Sequence, residues 1–343
     1  MPEVTIAILN YNGRHFLEQF LPFLFQTTYP HMQVWVIDNA STDDSVAWTT
    51  AHYPQVKLWV WEQNHGFTGG YNRIVPHIET PYFVLLNSDV EVTPGWIEPL
   101  VAAMEADPLL ASVQPKILDW KSRDQFEYAG AAGGWLDSLG YPFCRGRVFD
   151  VRETDQGQYD TYQPVAWATG ACSLVRTRVA KEHGLFQEDF FAHMEEIEFC
   201  WRVQAMGYHV ACEPRSVVYH VGGGTLPQGN PRKTFLNVRN SLAMLWLHLP
   251  QGQRIGRVFL RMVLDGVWGL YALTKGDTSA IGAILKGHFA FYGRMGAYQQ
   301  ERNRLYQNRK PAWPAQGVLA GSVVWQHFVS GKKRWVQLFS KEK

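Results

Sequence analysis

The first hundred residues repeat one unit, a short apolar run followed by a stretch of helical period, and this repetition constrains the fold more than any other feature. VTIAILN (Val4 to Asn10), VWVID (Val34 to Asp38), VKLWVW (Val56 to Trp61) and YFVLLN (Tyr82 to Asn87) are rich in β-branched and aromatic residues and are bounded by turn residues. Helices are predicted between them, near Arg14 to Gln26, Asp43 to His52 and Thr68 to Ile78. Strands alternating with helices pair in parallel under helices on both faces, so the expected class is α/β with a mostly parallel central sheet.

The polar residues follow the strands. Asn10, Tyr11 and Asn12 come after the first, Asp38 to Asp43 after the second, Asn64 to Asn72 after the third, and Asn87, Ser88, Asp89 and Glu91 after the fourth. All four groups fall at the carboxyl edge of the sheet, where open α/β sheets bind ligands. Thr93 and Pro94 read as the N-cap and first position of a helix reaching about Asp107. From about Ser112 the pieces become longer and glycine-rich, with strands near Val113 to Asp119 and Val165 to Arg176 and a helix from Glu195 to Met206. Strand pieces HVACE and SVVYH follow, then the glycines Gly222 to Gly224. After Asn230 the pattern turns helical, and past about Pro250 it is basic and amphipathic, with a break at Pro311 and Pro314. The expected division is a body over 1–250, in halves 1–111 and 112–250, and a helical region over 251–343.

The net charge of +1 conceals an asymmetry: ten basic and two acidic residues from Arg294 onward set that segment at +8 and the rest at −7. Such a tail suits an anionic partner, membrane phospholipid or nucleic acid, and a solvated charged end is the plain alternative. Val258 to Thr274 is the most membrane-like stretch. Arg261 and Asp265 within it are costly at a bilayer centre, so it is expected to lie at a surface. Cys144, Cys172, Cys200 and Cys212 are too sparse for a disulfide scaffold and read as free thiols. Met1 runs straight into VTIAILN without a signal-like segment, so the expected location is the cytoplasm.

Several residues have chemistry of their own. Asp38, at a strand end, can accept hydrogen bonds from a ribose hydroxyl or a pyrimidine nitrogen, and Asp43 suits an N-cap. The loop from Asn64 to Asn72 offers flexible backbone ahead of a helix N-terminus. It is not the dinucleotide fingerprint, which needs its glycines after the first strand, where NYNG stands. Asp89 and Glu91 are hard-cation ligands, and a histidine such as His220 beside a carboxylate suits Mn²⁺ and tolerates Mg²⁺. In a helix over Glu195, Glu196 and Glu198, Glu198 faces Arg202 as a structural pair.

VIDNASTDDS, NHGFTGGYN, LLNSDVEV, WATGACSLVRT, FFAHMEEIEFCWR and VVYHVGGGT occur in the order and approximate spacing of the family 2 glycosyltransferases, which the chain resembles from Val4 to about Pro250. The resemblance implies a Rossmann-like glycosyltransferase A-type fold and an inverting enzyme acting on a nucleoside diphosphate sugar, UDP- or dTDP-linked. Asp38 would hold the base, with Asn10, Tyr11, Asn39, Gly66, Phe67, Gly70, Asn72 and Ser88 around the nucleotide. Asp89 matches the final acid of the family's Asp-x-Asp type motif and Asn87 replaces the first. His220 resembles a second metal ligand, for Mn²⁺ or Mg²⁺. Glu196 stands where the family has its general base, usually Asp. Trp167, Thr169, Gly170, Glu195 and Arg239 fall on the acceptor or diphosphate side. The implied acceptor is a glycan or lipid-linked glycan in cell-surface polysaccharide synthesis, often with rhamnose, reached from the inner face of the cytoplasmic membrane; nucleic acid is not expected. Two alternatives stand beside this. The Asn87 and Glu196 departures suit a non-catalytic nucleotide- or glycan-binding subunit, and a nucleotidyltransferase would share the layout but needs a basic glycine loop where NYNGR lies.

Overall fold

A computed structural model of the chain describes residues 1–222 and 230–339. Its first seven elements are β1 (Val4–Asn10), α1 (Arg14–Leu24), β2 (Met32–Asp38), α2 (Ser45–His52), β3 (Lys57–Val60), α3 (Gly66–Ile74) and β4 (Tyr82–Asn87). The strands lie in the parallel order β4-β1-β2-β3, with Asn10 beside Asp38 in the register. Alternation along each strand divides the apolar residues between two cores. Ile6, Ile8, Val84 and Leu86 join the buried face of α1, while Ala7, Phe83 and Leu85 meet Tyr71 and Ile74 of α3.

The chain continues through β5 (Val90–Val92), α4 (Ile97–Ala106), β6 (Leu110–Asp119), β7 (Gly134–Asp137), β8 (Pro142–Cys144), β9 (Arg147–Val148), β10 (Val151–Arg152), β11 (Gln163–Pro164), β12 (Cys172–Arg176), α5 (Thr177–His183), α6 (Glu195–Ala205) and β13 (His209–His220). Thr93 does not cap α4. Its hydroxyl donates to the Val217 carbonyl at 2.9 Å, and the helix begins only after Trp96, whose ring is fully buried. The two strand pieces expected near residues 209–220 form one strand with a register shift between Glu213 and Val217. Pro214 lies in that interval and lacks the N–H a regular ladder would use.

Among the described residues the main sheet runs β11-β13-β6-β12-β4-β1-β2-β3, with β5 on β13. It is mixed α/β, because β12 runs antiparallel to both β4 and β6. That reversal matters for the site. It brings the segment before Cys172 back to the carboxyl end of β4, where Asn87 N–H donates to the Ala171 carbonyl at 2.9 Å.

The rest of the chain forms α7 (Pro231–His248), α8 (Gln251–Thr274), α9 (Thr278–Leu305), β14 (Val318–Leu319), α10 (Val323–Phe328) and α11 (Trp335–Phe339). It is built into the body: β14 pairs in parallel with β7 at the edge of a second sheet, β10-β9-β8-β7-β14. The Pro311–Pro314 stretch crosses α6, with Trp201 donating to the Ala312 carbonyl at 2.7 Å and stacking on Trp313.

The amphipathicity of α8 is inverted. Its buried row is Val258, Arg261, Asp265, Gly269 and Ala272, and Arg261 and Asp265 pair at 3.2 Å. Outward stand Ile255, Phe259, Val267, Leu270 and Tyr271, from 56% to 70% exposed. From Ile255 to Leu273 every exposed residue is apolar, aromatic or glycine. The two charges that are costly at a bilayer centre neutralise each other inside the protein. Among the described residues no helix is long and apolar enough to cross a membrane.

Candidate active site

The residues expected to face a nucleoside are held together by their own polar groups. Asp38 is buried, and its carboxylate accepts from Asn10 Nδ2 at 3.0 Å and Ser41 N–H at 2.8 Å. Asp43 accepts from Ser45 N–H at 3.1 Å and from Arg14 N–H, fixing the start of α2. Asn10 Oδ1 is buried with no partner among the described residues, and Tyr11 stands 44% exposed beside it. Ser88 Oγ lines the same edge, 3.4 Å from where a Cβ on Gly13 would lie.

Two residues expected to touch nucleotide are committed elsewhere. Asn39 donates to Asn64 Oδ1 and the Gly66 carbonyl and accepts from His65 N–H, tying the second loop to the third. Asn72 donates to the Phe186 carbonyl and accepts from Phe186 N–H, anchoring α3. Gly66 has φ of +71°, and a Cβ there would stand 2.5 Å from the Phe191 ring, so the position requires glycine. Gly70 backs onto Leu9, and the Phe67 ring packs towards Gly170.

Asp89 and His220, expected from sequence as metal ligands, come together although 131 residues separate them. β5 and β13 pair antiparallel with Val90 opposite His220, which sets Asp89 Oδ1 3.1 Å from His220 Nε2. The other ring nitrogen faces Glu127 Oε1 at 3.5 Å, an ion pair longer than a hydrogen bond. Burial favours a neutral His220, but the Asp89 and Glu127 carboxylates outweigh it and hold its pKa well above the usual value. Burial likewise raises Asp89, and the His220 charge with the Asp89 and Gly222 backbone N–H groups bring it below the carboxylate range.

Once the imidazole gives up its Nε2 proton, the pair fits a divalent cation. Neighbouring ligands on an ion with bonds of about 2.1 Å stand about 3 Å apart, close to the separation found here, and a carboxylate behind the imidazole is the usual orienting partner. Among the described residues no group of three or more acids, histidines or cysteines is arranged around one ion, so a cation held here would take its remaining ligands from substrate or water. Glu91, considered beside Asp89 from sequence, is not available: it accepts from Trp120 Nε1 at 2.9 Å and Arg123 at 2.7 Å. The glycines Gly223 and Gly224 lie outside the described residues.

The acids at the start of α6 divide sharply. Glu198 is fully buried against Arg202 and His248, and although burial raises it these partners pull it to about 2. It is structural. Glu195 and Glu196 each have a buried Oε2 with no partner among the described residues. Burial pushes Glu196 up to about 7, and burial with the Glu196 charge holds Glu195 well above the usual carboxylate range. A carboxylate at about 7 suits a general base at neutral pH. Glu196 Cβ lies 3.8 Å from where a Cβ on Gly170 would stand, and the next residue, Ala171, is bonded to Asn87. The β12 reversal therefore joins the start of α6 and the residues after β4 at one sheet edge.

Three acceptor-side expectations need correction. Arg239 donates to the Asp189 and Phe190 carbonyls at 2.7 and 3.0 Å, so its guanidinium is directed at protein rather than diphosphate. Asn240 beside it donates to the carbonyls of Phe190, Ala192 and His193. Together they clamp a loop in which Phe191, His193 and Met194 all have positive φ, a strained backbone that aims the start of α6. Trp167 is buried and donates to the Trp135 carbonyl, and Thr169 is buried beneath Gln114, so both support Gly170 rather than face a ligand. Glu127 was not assigned a site role from sequence: a lone acid in a glycine-rich stretch carries no spacing signal that names its distant partner.

Residues 5–184, more than half of the chain, match the family model described as glycosyl transferase family 2. The chain belongs to glycosyl transferase family 2. Among relatives in this family, the N-acetylglucosaminyl-diphospho-decaprenol L-rhamnosyltransferase of Mycobacterium tuberculosis is 27% identical over 234 residues, 63% of this chain and 75% of that protein. The low-salt glycan biosynthesis hexosyltransferase Agl10 of Haloferax volcanii is 23% identical over 209 residues, 60% of this chain and 62% of that protein. Solved structures with the same fold include GalNAc-T7 with UDP, GalNAc and Mn²⁺, at TM-score 0.57 and 14% identity, covering 96% of this chain and 57% of that one. S. aureus TarS 1-349 with UDP-GlcNAc aligns at TM-score 0.53 and 14% identity, covering 88% and 86%. These structures show the glycosyltransferase A-type fold, and the family match shows glycosyltransferase activity in glycan or polysaccharide synthesis.

Proposed function

We propose that this family 2 enzyme is an inverting glycosyltransferase that moves a sugar from a UDP- or dTDP-linked donor to a hydroxyl of a glycan or lipid-linked glycan. The observation that carries this reading is Glu196, a half-buried side chain whose Oε2 is buried without a partner among the described residues and whose carboxyl is raised to about 7, at the edge that also holds Asp89 and His220. Asn10, Tyr11 and Asp38 form the nucleoside side. Asp89 and His220 would hold Mn²⁺ or Mg²⁺, which supplies positive charge to the departing diphosphate. Glu196 removes the proton from the acceptor hydroxyl, whose oxygen attacks the anomeric carbon from the face opposite the nucleotide. The relative that by name acts on a diphospho-decaprenol supports a lipid-linked acceptor and a rhamnosyl donor.

Proton NMR of the product formed from UDP- and dTDP-linked sugars with Mn²⁺ tests the mechanism. The first-formed product is expected in the anomeric configuration opposite to that of the donor; a retained configuration would contradict attack assisted by Glu196.

The outward face of α8 supports a peripheral position on an anionic membrane. Partly buried Arg254 and Arg257 flank its start, and Lys275 follows its end. Because α9 and β14 are built into the body, substitution tests this better than truncation. Phe259→Ser with Leu270→Ser is expected to cut co-flotation with phosphatidylglycerol vesicles about tenfold, from the apolar area withdrawn from lipid. Undiminished flotation would contradict this position.

A further inference from the structure

A cavity of about 260 Å³ opens between α7, α8 and the turns around Tyr128 and Tyr141. Its walls include Tyr128, Tyr141, Lys233, Asn237, Asp265 and Trp268. Two observations place it against the reaction site. Tyr128 follows Glu127, the acid facing His220 at 3.5 Å, and the charge of Lys233 acts on both Glu127 and His193. His193 belongs to the strained loop that aims Glu196. The cavity thus lies beside the metal pair and the base loop, outside every nucleotide-side residue described above.

Its chemistry is that of a sugar subsite. Tyr128 and Trp268 present rings 41% and 44% exposed, suited to the apolar face of a pyranose. Asn237, Lys233 and Asp265 supply the mixture of donors and acceptors that reads ring hydroxyls. Asp265 is fixed by Arg261 at 3.2 Å, and Arg261 lies over the Tyr141 ring at 3.6 Å, so the wall is preorganised. Trp268 also belongs to the outward apolar face of α8, so the cavity mouth adjoins the surface assigned to lipid.

We infer that this cavity binds the sugar of the acceptor, the residue bearing the attacked hydroxyl, and that α8 contributes both its wall and the adjacent lipid-facing surface. The inference rests on the transferase reading above and assigns its acceptor. The probe is N-acetylglucosaminyl diphosphogeraniol, used with the full chain, UDP-linked and dTDP-linked donors and Mn²⁺. Asn237→Ala and Trp268→Ala are each expected to raise the KM for the probe about tenfold, the effect of one lost contact, with kcat changed less than twofold. Slow donor hydrolysis by water and the melting temperature should stay as in the unaltered chain. Unchanged KM in both variants, or no saturation-transfer NMR signal from the probe on the unaltered chain, would overturn the assignment. Absence of donor hydrolysis and of transfer in the unaltered chain would instead overturn the transferase reading.

Discussion

Glu196→Gln is expected to lower transfer by about a thousandfold while making the folded chain more stable above neutral pH. The first effect follows from removing the base; donor binding, which uses the other side of the site, should remain. The second follows from the cause of the raised pKa. Burial takes Glu196 from 4.5 to about 7, so above pH 7 the folded state holds a desolvated carboxylate. The folded pKa exceeds the unfolded one, so the contribution to stability is fully present below about 4.5 and is lost as pH rises through about 7. Glutamine cannot ionise, and urea denaturation at pH 8 should show a gain of about 2–3 kcal/mol that fades towards pH 5. In the unaltered enzyme kcat/KM should rise about tenfold per pH unit below 7 and level off above it. A variant both inactive and less stable at pH 8 would point to a structural role for Glu196.

Asp89→Ala has the opposite sign on stability. It removes a buried partner of His220, leaving an imidazolium that among the described residues is faced by Glu127 at 3.5 Å. Breaking such a pair costs about 3–5 kcal/mol. It also removes the carboxylate proposed to hold the cation, whose charge stabilisation of the departing diphosphate is worth several kcal/mol, so transfer should fall about a thousandfold or more. Donor affinity should lose its dependence on Mn²⁺, as read by calorimetry. The two variants therefore separate base from cation: one keeps metal-dependent donor binding and gains stability, and the other loses both. Retained Mn²⁺-dependent binding in Asp89→Ala would remove Asp89 from the metal side.

Local patterns were the legible part of this fold. β1 and β4 have the ends their apolar runs predict, and α6 begins at Glu195 as expected, because continuous burial and helical period are written into adjacent residues. The Glu198–Arg202 pair was visible for the same reason. What was not legible depends on long-range pairing. No local signal tells that β12 runs backwards beside β4, or that residues 318–319 close a sheet begun at residues 134–137. Resemblance alone places Arg239 on the acceptor or diphosphate side; its direction is decided by carbonyls of a loop fifty residues away. Helical period marked α8 as amphipathic but not which face would be inward, and the inward face is the one holding Arg261 and Asp265.

The central claim is spatial: Asp89, His220 and Glu196 serve one bound sugar nucleotide. Anomalous scattering from a crystal grown with UDP and MnCl₂ tests it most directly. The account predicts a manganese peak within about 2.3 Å of Asp89 Oδ1 and His220 Nε2, bridged to the diphosphate, with the Glu196 carboxylate facing the same cleft. Manganese bound elsewhere, or a diphosphate separated from Glu196 by the β12 segment, would contradict it.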